Sequence, residues 1–257
     1  MSIHPTAIVH PKAELDEDVI IGPYCIVSEH VKIGRGTELL SHVCVEGWTE
    51  IGQRCKIFPY ASIGTPPQHL QYHDEPTKVI IGDENILREY VTVNRGTAFG
   101  GGVTVLGKHN FLMAYVHIAH DSRLGDGITF ANGASLAGHV EIGDYAILGG
   151  FTLVHQFCRI GTMSIIGGCS KVVQDVPPYM MADGNPAATR ALNREGLKRN
   201  DVSEETQAGL KQAHRILFRE NLIMANAIDK AKTEIGANPE LNHLLNFIQS
   251  SERGIAK

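Results

Sequence analysis

Residues 15–33 read LDEDVIIGPYCIVSEHVKI, and this stretch decides the fold. Bulky aliphatic side chains recur in it every six residues, at Leu15, Ile21, Val27 and Ile33. A surface helix would need a period of about 3.6 residues, and a half-buried strand a period of about 2. A period of six is typical of a β-solenoid, in which each hexapeptide supplies one short strand and one turn.

The same period extends in both directions from this stretch. It covers residues 3–63, resumes over 81–93 and continues over 106–172, usually with a small or β-branched residue four positions after each aliphatic. Three hexads close one triangular coil, and successive coils stack about 4.8 Å apart. Equivalent residues three hexads apart therefore lie above one another. The pattern predicts a parallel β-helix over residues 1–186, an all-β solenoid followed by α structure.

Two segments, 65–80 and 98–105, interrupt the repeat and are predicted to leave the solenoid as loops. Loops on a rigid scaffold are where binding residues tend to lie. Glycine often follows the aliphatic residue, as in Ile21-Gly22, and is expected to supply the backbone freedom that a tight corner needs.

The pattern changes after a Gly-Asn-Pro turn at 184–186. Ser203, followed by two glutamates, predicts a helix start, a second helix is expected over 222–233, and a third from Asn238-Pro239 to about Arg253. Residues 187–257 are therefore predicted to form a helical domain that covers one end of the solenoid.

Composition excludes several classes of protein. The net charge of −5 argues against general nucleic-acid binding, and no apolar run is long enough to be a transmembrane segment. The N-terminus lacks the basic and apolar pattern of an export signal, so a cytoplasmic location is expected. The cysteines show no zinc-like spacing, and Cys25, Cys55 and Cys158 occupy the small interior position of the repeat. Neither a metal nor a cofactor is predicted.

The stretch Val116 to Asp121 places two imidazoles and a carboxylate side by side. Hexad spacing predicts His120-Asp121, Gly138-His139 and His155-Gln156 on one corner of three successive coils, with His117 approaching from the adjoining face. Histidine suits a general base at neutral pH, since its unperturbed pKa is about 6.5. Asp121 is expected to orient the ring, although a turn cap or a surface charge are alternatives, and each histidine alone also fits a solvated turn residue.

A second column carries paired glycines, Gly149-Gly150 and Gly167-Gly168, on two stacked coils. Paired glycines leave a groove without side chains, which fits an extended apolar chain lying parallel to the solenoid axis. The alternative is that these glycines only form turns.

These motifs together resemble a known family, the acyl-carrier-protein-dependent UDP-N-acetylglucosamine O-acyltransferases that begin lipid A synthesis in Gram-negative bacteria. The resemblance covers nearly the whole chain. It is carried by the hexads, the two excursions and a set of ordered motifs: His117 to Asp121, Leu136 to His139, Val154 to Phe157, Gln174 to Tyr179, Gly184 to Pro186, Asn193, and Glu195 to Arg199.

The resemblance implies a left-handed β-helix assembled as a homotrimer, with active sites between subunits. It implies that His120 is the general base and that the backbone N–H of Gly138 stabilises the oxyanion. It further implies contacts with the nucleotide sugar and the acyl chain from several other residues: His69, Gln71, His117, His139, His155, Gln156, Asn193, Glu195, Arg199, Gly150 and Gly168.

The chain departs from the family pattern at three places. The family usually reads Gln-Asp-Leu-Lys where this chain has Gln68 to Gln71, and His-Arg-Gly-Thr where it has Asn94 to Thr97; a second arginine is replaced by Asn200. Alternative functions are therefore N-acylation of a UDP-3-amino sugar, an acetyl-CoA-dependent hexapeptide transferase, or a catalytically silent solenoid that binds a nucleotide sugar.

The expected protein partner is acyl carrier protein, which is typically acidic. A basic cluster in the helical domain is the predicted docking surface, with a solvated helix face as the alternative; its members are Arg190, Arg194, Lys198, Arg199, Lys211, Arg215 and Arg219.

Overall fold

The computed structural model describes residues 1–236 and 238–257. Within them, most strands have two residues and are separated by four-residue turns. The strands are β1 (Ser2–Ile3), β2 (Ile8–Val9), β3 (Glu14–Leu15), β4 (Ile20–Ile21), β5 (Ile26–Val27), β6 (Lys32–Ile33), β7 (Glu38–Leu39), β8 (Cys44–Val45), β9 (Trp48–Ile51), β10 (Lys56–Ile57), β11 (Ser62–Thr65), β12 (Lys78–Ile81), β13 (Ile86–Leu87), β14 (Thr92–Asn94), β15 (Val103–Leu106), β16 (Phe111–Leu112), β17 (His117–Ile118), β18 (Arg123–Leu124), β19 (Thr129–Phe130), β20 (Ser135–Leu136), β21 (Glu141–Ile142), β22 (Ile147–Leu148), β23 (Leu153–Val154), β24 (Arg159–Ile160), β25 (Ile165–Ile166), β26 (Lys171–Val172), β27 (Met180–Gly184) and β28 (Ala187–Leu192).

Up to β26, every third strand joins the same sheet in parallel, which confirms the predicted parallel β-helix. Sheet 1 runs from β1 through β4 and β7 to β25, sheet 2 from β2 through β5 to β26, and sheet 3 from β3 through β6 to β24. The chain visits sheets 1, 2 and 3 in turn, so the triangular coil has a 1-2, a 2-3 and a 3-1 corner. The second residue of each two-residue strand points inward: Ile118, Leu136 and Val154 follow one another up sheet 2.

The inward residues form one continuous core. Leu39, Ile57 and Ile118 are fully buried, and each such side chain contributes about 1.5–3 kcal/mol by leaving water. Cys25 and Cys158 are buried in the same core. Burial raises the pKa of the Cys158 thiol to about 11, so this sulfur packs as a small apolar group rather than reacting as a thiolate.

Gly64, after Ile63, has the positive φ (77°) expected of a tight corner, but the glycine after Ile21 serves a different purpose. Gly22 does not have a positive φ; a Cβ there would lie 2.4 Å from the Leu40 carbonyl oxygen of the next coil. Close approach of stacked backbones therefore requires this glycine. The positive φ values fall two residues later and belong mostly to other residue types, such as Tyr24 and Asp121.

The C-terminal region begins with a β-hairpin that the sequence did not predict. Strand β27 pairs in parallel with β25, and β28 turns back antiparallel to it. The expected boundary between residues 186 and 187 falls in the turn of this hairpin.

Four α-helices follow among the described residues: α1 (Arg194–Arg199), α2 (Glu204–Arg219), α3 (Met224–Ile235) and α4 (Pro239–Gln249). The predicted starts at Ser203 and Asn238 are confirmed, because each side chain accepts a hydrogen bond from the first turn of its helix. The short α1 was not predicted. Helix α4 ends at Gln249 rather than near Arg253 because the chain there turns back to the solenoid, where Ala256 N–H donates to Asp175. No helix in the described ranges has the length and hydropathy of a membrane span.

Candidate active site

Both excursions leave the solenoid at the same corner. The first connects β11 to β12 and the second connects β14 to β15, so each joins sheet 2 to sheet 3. His120 and Asp121 lie at this 2-3 corner one coil further on, in the turn between β17 and β18. The two loops and the predicted catalytic pair are therefore brought together by the topology of the helix.

Asp121 is buried and holds the His120 ring. Its Oδ2 lies 2.8 Å from His120 Nδ1 and 2.6 Å from the Thr97 hydroxyl, and the Thr97 N–H donates to both carboxylate oxygens at 3.0 and 3.1 Å. Burial raises the pKa of Asp121, but the hydrogen bonds from His120 and Thr97 outweigh it and hold the pKa below its usual value. An ionised Asp121 accepts the Nδ1 proton of His120, which leaves Nε2 as the proton acceptor.

This hydrogen bonding predicts a pH effect on stability. The folded pKa of Asp121 lies below its unfolded value, so the ionised carboxylate stabilises the fold above about pH 4 and the contribution is lost as pH falls through the folded pKa. Thr97→Val removes one donor, raises the folded pKa and moves the loss of stability to higher pH. Acid unfolding followed by circular dichroism measures the shift.

The matched control is Thr37→Val, since the Thr37 hydroxyl is also buried but donates to the carbonyl of Gly52, which does not titrate. We expect Thr37→Val to lower stability by the same amount at every pH. Identical pH dependence in the two variants would show that Thr97 does not act through Asp121.

Aromatic rings line the corner on both sides of His120. His139 meets it edge to face at 5.1 Å between centroids, and His69 from the first excursion meets it edge to face at 5.3 Å. Phe99 packs against His69, and Phe157 stacks on His139 at 4.5 Å. Burial lowers the pKa of His139, which favours its neutral form. Phe99 and Phe157 were not among the predicted site residues.

The register corrects one predicted position. Ile118, Leu136 and Val154 are aligned. The residues two positions after them are His120, Gly138 and Gln156, so Gln156 and not His155 lies above His120 and Gly138. Three hexads after Gly138 lead to Gln156, so the prediction placed His155 one residue out of phase. His155 is exposed, and its Nδ1 lies 3.1 Å from the carbonyl oxygen of Gln156.

Gly138 lies directly against the His120 ring. A Cβ at this position would be 2.4 Å from His120 Cε1 and 2.7 Å from Nε2. Among the backbone hydrogen bonds of the described residues, the Gly138 N–H donates none, while its neighbours Ala137 and His139 both do. Gly138 thus combines close contact with the His120 ring and a backbone N–H that has no backbone partner among the described residues.

A cleft of about 480 Å³ opens from His120 across the face of sheet 2. His117 lies on its wall, with Nδ1 2.7 Å from the Thr92 hydroxyl, and burial lowers the pKa of this histidine. The lining also includes Gln68, His69, Asn94, Ala119, Ser135, Leu136, Ala137, Gly138, Leu153, Val154 and Gln156. Gln71 is exposed beyond this lining, and its N–H donates to His69 Nδ1.

The glycine column lies at the opposite edge of the same face. Gly150 and Gly168 occupy the 1-2 corner after β22 and β25, in successive coils. A Cβ at Gly168 would meet only Gly150, at 3.3 Å from its carbonyl oxygen. The sheet 2 face is thus bordered by the histidines on one side and by side-chain-free backbone on the other.

Asn193, Glu195 and Arg199 are not brought to this cleft within one chain. Asn193 is buried, donates to the carbonyl of Met163 and caps α1, which places it at the 3-1 corner. Glu195 and Arg199 lie exposed on α1. This group is therefore at a different corner of the triangle from His120.

His120, Asp121 and His139 present ligating atoms within 4.8 Å of one another, although no metal site was predicted. The Nδ1 of His120 and Oδ2 of Asp121 are 2.8 Å apart, which is a hydrogen-bonding distance. The observed contacts fit a proton relay.

Comparison with known proteins finds relatives that match nearly the whole chain. The acyl-[acyl-carrier-protein]–UDP-N-acetylglucosamine O-acyltransferase of Thermodesulfovibrio yellowstonii is 54% identical over 255 residues, covering 99% of both chains. The chain belongs to this family. The corresponding protein of Thiobacillus denitrificans is 51% identical, covering 100% of this chain and 99% of the relative.

Solved structures of family members share the whole fold. LpxA from Acinetobacter baumannii superposes with a TM-score of 0.96 at 46% identity, covering 99% of each chain. LpxA from Bacteroides fragilis gives 0.97 at 38% identity, covering 99% of this chain and 100% of that one. A family model described as "Udp N-acetylglucosamine O-acyltransferase; Domain 2" matches residues 175–256.

Proposed function

We propose that the chain transfers a 3-hydroxyacyl group from acyl carrier protein to the 3-hydroxyl of UDP-N-acetylglucosamine, the first step of lipid A biosynthesis. The observation that carries this proposal is the His120–Asp121 hydrogen bond of 2.8 Å, with the ring lying on Gly138 at the mouth of the cleft. The names of the family members above state the same donor and acceptor.

In this mechanism His120 Nε2 removes the proton of the sugar 3-hydroxyl as its oxygen attacks the thioester carbonyl. The Gly138 N–H donates to the oxyanion of the tetrahedral intermediate, and Asp121 stabilises the imidazolium. When the intermediate collapses, the C–S bond breaks and the thiolate of the carrier takes the proton from His120. Every group in these reaction steps belongs to the chain or its substrates.

The test is incubation of the protein with UDP-N-acetylglucosamine and a series of 3-hydroxyacyl carrier proteins, followed by mass spectrometry. We expect a UDP-acyl-sugar with an ester at the 3-position. Parallel reactions with the 3-amino sugar and with acyl-coenzyme A donors separate the alternatives. Product only from the amino sugar, or only from coenzyme A, would contradict the proposal.

We propose further that the protein is a homotrimer. Sheets 1 and 2 carry exposed apolar residues, while the outward residues of sheet 3 are mainly charged. The apolar set is Ile8, Ile20, Ile26, Ile86, Leu153 and Met181, and the charged set is Glu14, Lys32, Glu50, Arg123, Glu141 and Arg159.

Two apolar faces that meet at one edge suit a closed ring, in which sheet 2 of one copy contacts sheet 1 of the next. The shared 1-2 corner carries a column of exposed stacked rings, including Tyr60, Tyr90 and Tyr115 at 4.9–5.0 Å, and would point to the axis. In that arrangement the 3-1 corner of a neighbouring copy, with Asn193, Glu195 and Arg199, approaches the His120 cleft and completes it.

Acyl length is proposed to depend on the glycine column. Gly168→Met places a side chain in the groove beside Gly150, and only the Gly150 backbone restricts its Cβ, at 3.3 Å. We expect the preferred acyl chain to become shorter, as measured by competition among acyl carrier proteins of different chain lengths. An unchanged length profile would show that the chain does not run past Gly168.

Carrier docking is proposed at the basic cluster, whose seven members are all exposed. Of these, Arg190 pairs with Asp183 and Arg215 with Glu220. The screening length falls from about 10 Å at 0.1 M salt to about 3 Å at 1 M, so we expect carrier affinity to fall at least about tenfold over that range. Titration of holo acyl carrier protein at both salt concentrations measures it. Lys211→Glu should reproduce the loss at low salt and Lys32→Glu, on sheet 3, should not.

A further inference from the structure

Asn94 occupies the cleft one coil before His120. It ends β14, and the residues aligned with it in the following coils are Ala119 and Ala137, which form the floor of the cleft. Its side chain is 3% exposed and belongs to the lining of the cleft. Asn94 therefore closes the end of the cleft that faces the first excursion.

The orientation of the Asn94 amide follows from its partners. Its Nδ2 donates to the Thr65 hydroxyl at 2.8 Å and to the Pro66 carbonyl at 3.1 Å. A carbonyl can only accept, so the nitrogen must face Pro66 and the oxygen must face away from it. Asn94 Oδ1 is buried and has no hydrogen-bond partner within the part of the chain that the structure describes.

An unpaired buried acceptor is unfavourable, since its lost hydration is not replaced. Only one other buried side-chain atom of the described residues shares this property, His214 Nε2 in the helical domain. In the solenoid the unpaired atom thus belongs to a residue that lines the substrate cleft, next to the predicted base.

We propose that Asn94 Oδ1 selects the acceptor sugar by accepting a hydrogen bond from a donor next to the reacting hydroxyl. This inference rests on the proposed function, which places the sugar 3-hydroxyl at His120. Asn94 is aligned with Ala119, the residue before His120, and lies one coil away, about 4.8 Å along the solenoid axis. The candidate donors are the amide N–H at C2 and the hydroxyl at C4. A sugar without that donor leaves Oδ1 unpaired and binds more weakly.

The test changes the Asn94 side chain and the sugar substituents separately and together, and compares the binding affinities. Affinities are measured by calorimetry, so the result does not depend on acyl transfer. UDP-N-acetylglucosamine and its 2-deoxy and 4-deoxy analogues are titrated into the wild-type protein and into Asn94→Ala. We expect one analogue to bind the wild type about tenfold to a hundredfold more weakly than the parent sugar. In Asn94→Ala that analogue and the parent should bind equally, since the acceptor is gone.

Thr65→Val is the matched control, because it removes a partner of Nδ2 and leaves Oδ1 intact. It should preserve the ratio between analogue and parent, whatever its effect on overall affinity. If Asn94→Ala unfolds the chain around β14, Asn94→Leu takes its place. Equal ratios in the wild type and both Asn94 variants overturn the inference. If the affinity ratios behave as expected but the protein transfers no acyl group, the role of Asn94 stands and the proposed reaction is rejected.

Discussion

His120→Ala should reduce kcat by about 10²–10⁴ while the protein stays folded, the range expected for loss of a general base. His120 is the imidazole whose Nδ1 is held by a buried carboxylate, at 2.8 Å from Asp121 Oδ2. Burial lowers the pKa of both neighbouring imidazoles, His117 and His139, but within the described chain neither makes a comparable hydrogen bond with Asp121. Steady-state kinetics with UDP-N-acetylglucosamine and a 3-hydroxyacyl carrier protein measures the loss.

His10→Ala is the matched control, because His10 follows Val9 at the same corner of the first coil and is exposed. It should retain wild-type kcat. Undiminished turnover in His120→Ala would remove the base from the mechanism, and the cleft would then need another proton acceptor.

Much of the fold follows from the sequence because the solenoid is locally repetitive. Each inward aliphatic residue packs against its equivalents in the neighbouring coils, so a period of six specifies both the strands and their register. The hairpin β27–β28 was missed because residues 180–192 carry no such period. Its position is set by pairing with the last strand of sheet 1, a contact that exists only once the solenoid has formed.

The candidate site was only partly predictable for a related reason. His120 and Asp121 are neighbours in sequence, and stacking arithmetic places Gly138 above them. His69 reaches the same point from the first excursion, whose path no periodicity describes. Thr97 occupies a small position of the repeat, but the repeat does not indicate that its hydroxyl and N–H bind Asp121. The prediction for His155 was wrong for a different reason: three hexads after Gly138 lead to Gln156, and the predicted position was one residue short of that count.

The 2-3 corner combines residues whose positions follow from the repeat with residues whose positions do not. The stacked coils fix the positions of His120 and Gly138, and Thr97, just before the second excursion, fixes Asp121 by three contacts of 2.6–3.1 Å. Asn94 lines the same cleft, but its side-chain hydrogen bonds go to Thr65 and Pro66, so a substitution there can change the cleft without moving His120. The chain thus keeps the family motifs around His120 and Gly138 while departing from the family pattern at residues 68–71 and at Asn94.

Gly138→Ala should lower kcat by about 10²–10³, the range expected when a catalytic donor or its partner is displaced. The new Cβ would lie 2.4 Å from His120 Cε1, so the ring must move and its hydrogen bond to Asp121 must lengthen. Gly209→Ala in helix α2 is the control, since it adds the same methyl group far from the cleft, where the new Cβ would lie 3.1 Å from Ile235 Cγ2. Full activity in a folded Gly138→Ala protein would contradict the assigned geometry.

The double variant separates the two roles of Gly138. Alanine keeps the backbone N–H, and removing the imidazole also removes the atoms that the new Cβ would meet. If Gly138→Ala acts by displacing His120, the double variant should be no slower than His120→Ala alone. A further loss in the double variant would instead place the damage at the N–H donor, because the backbone would then have shifted without any ring to displace it.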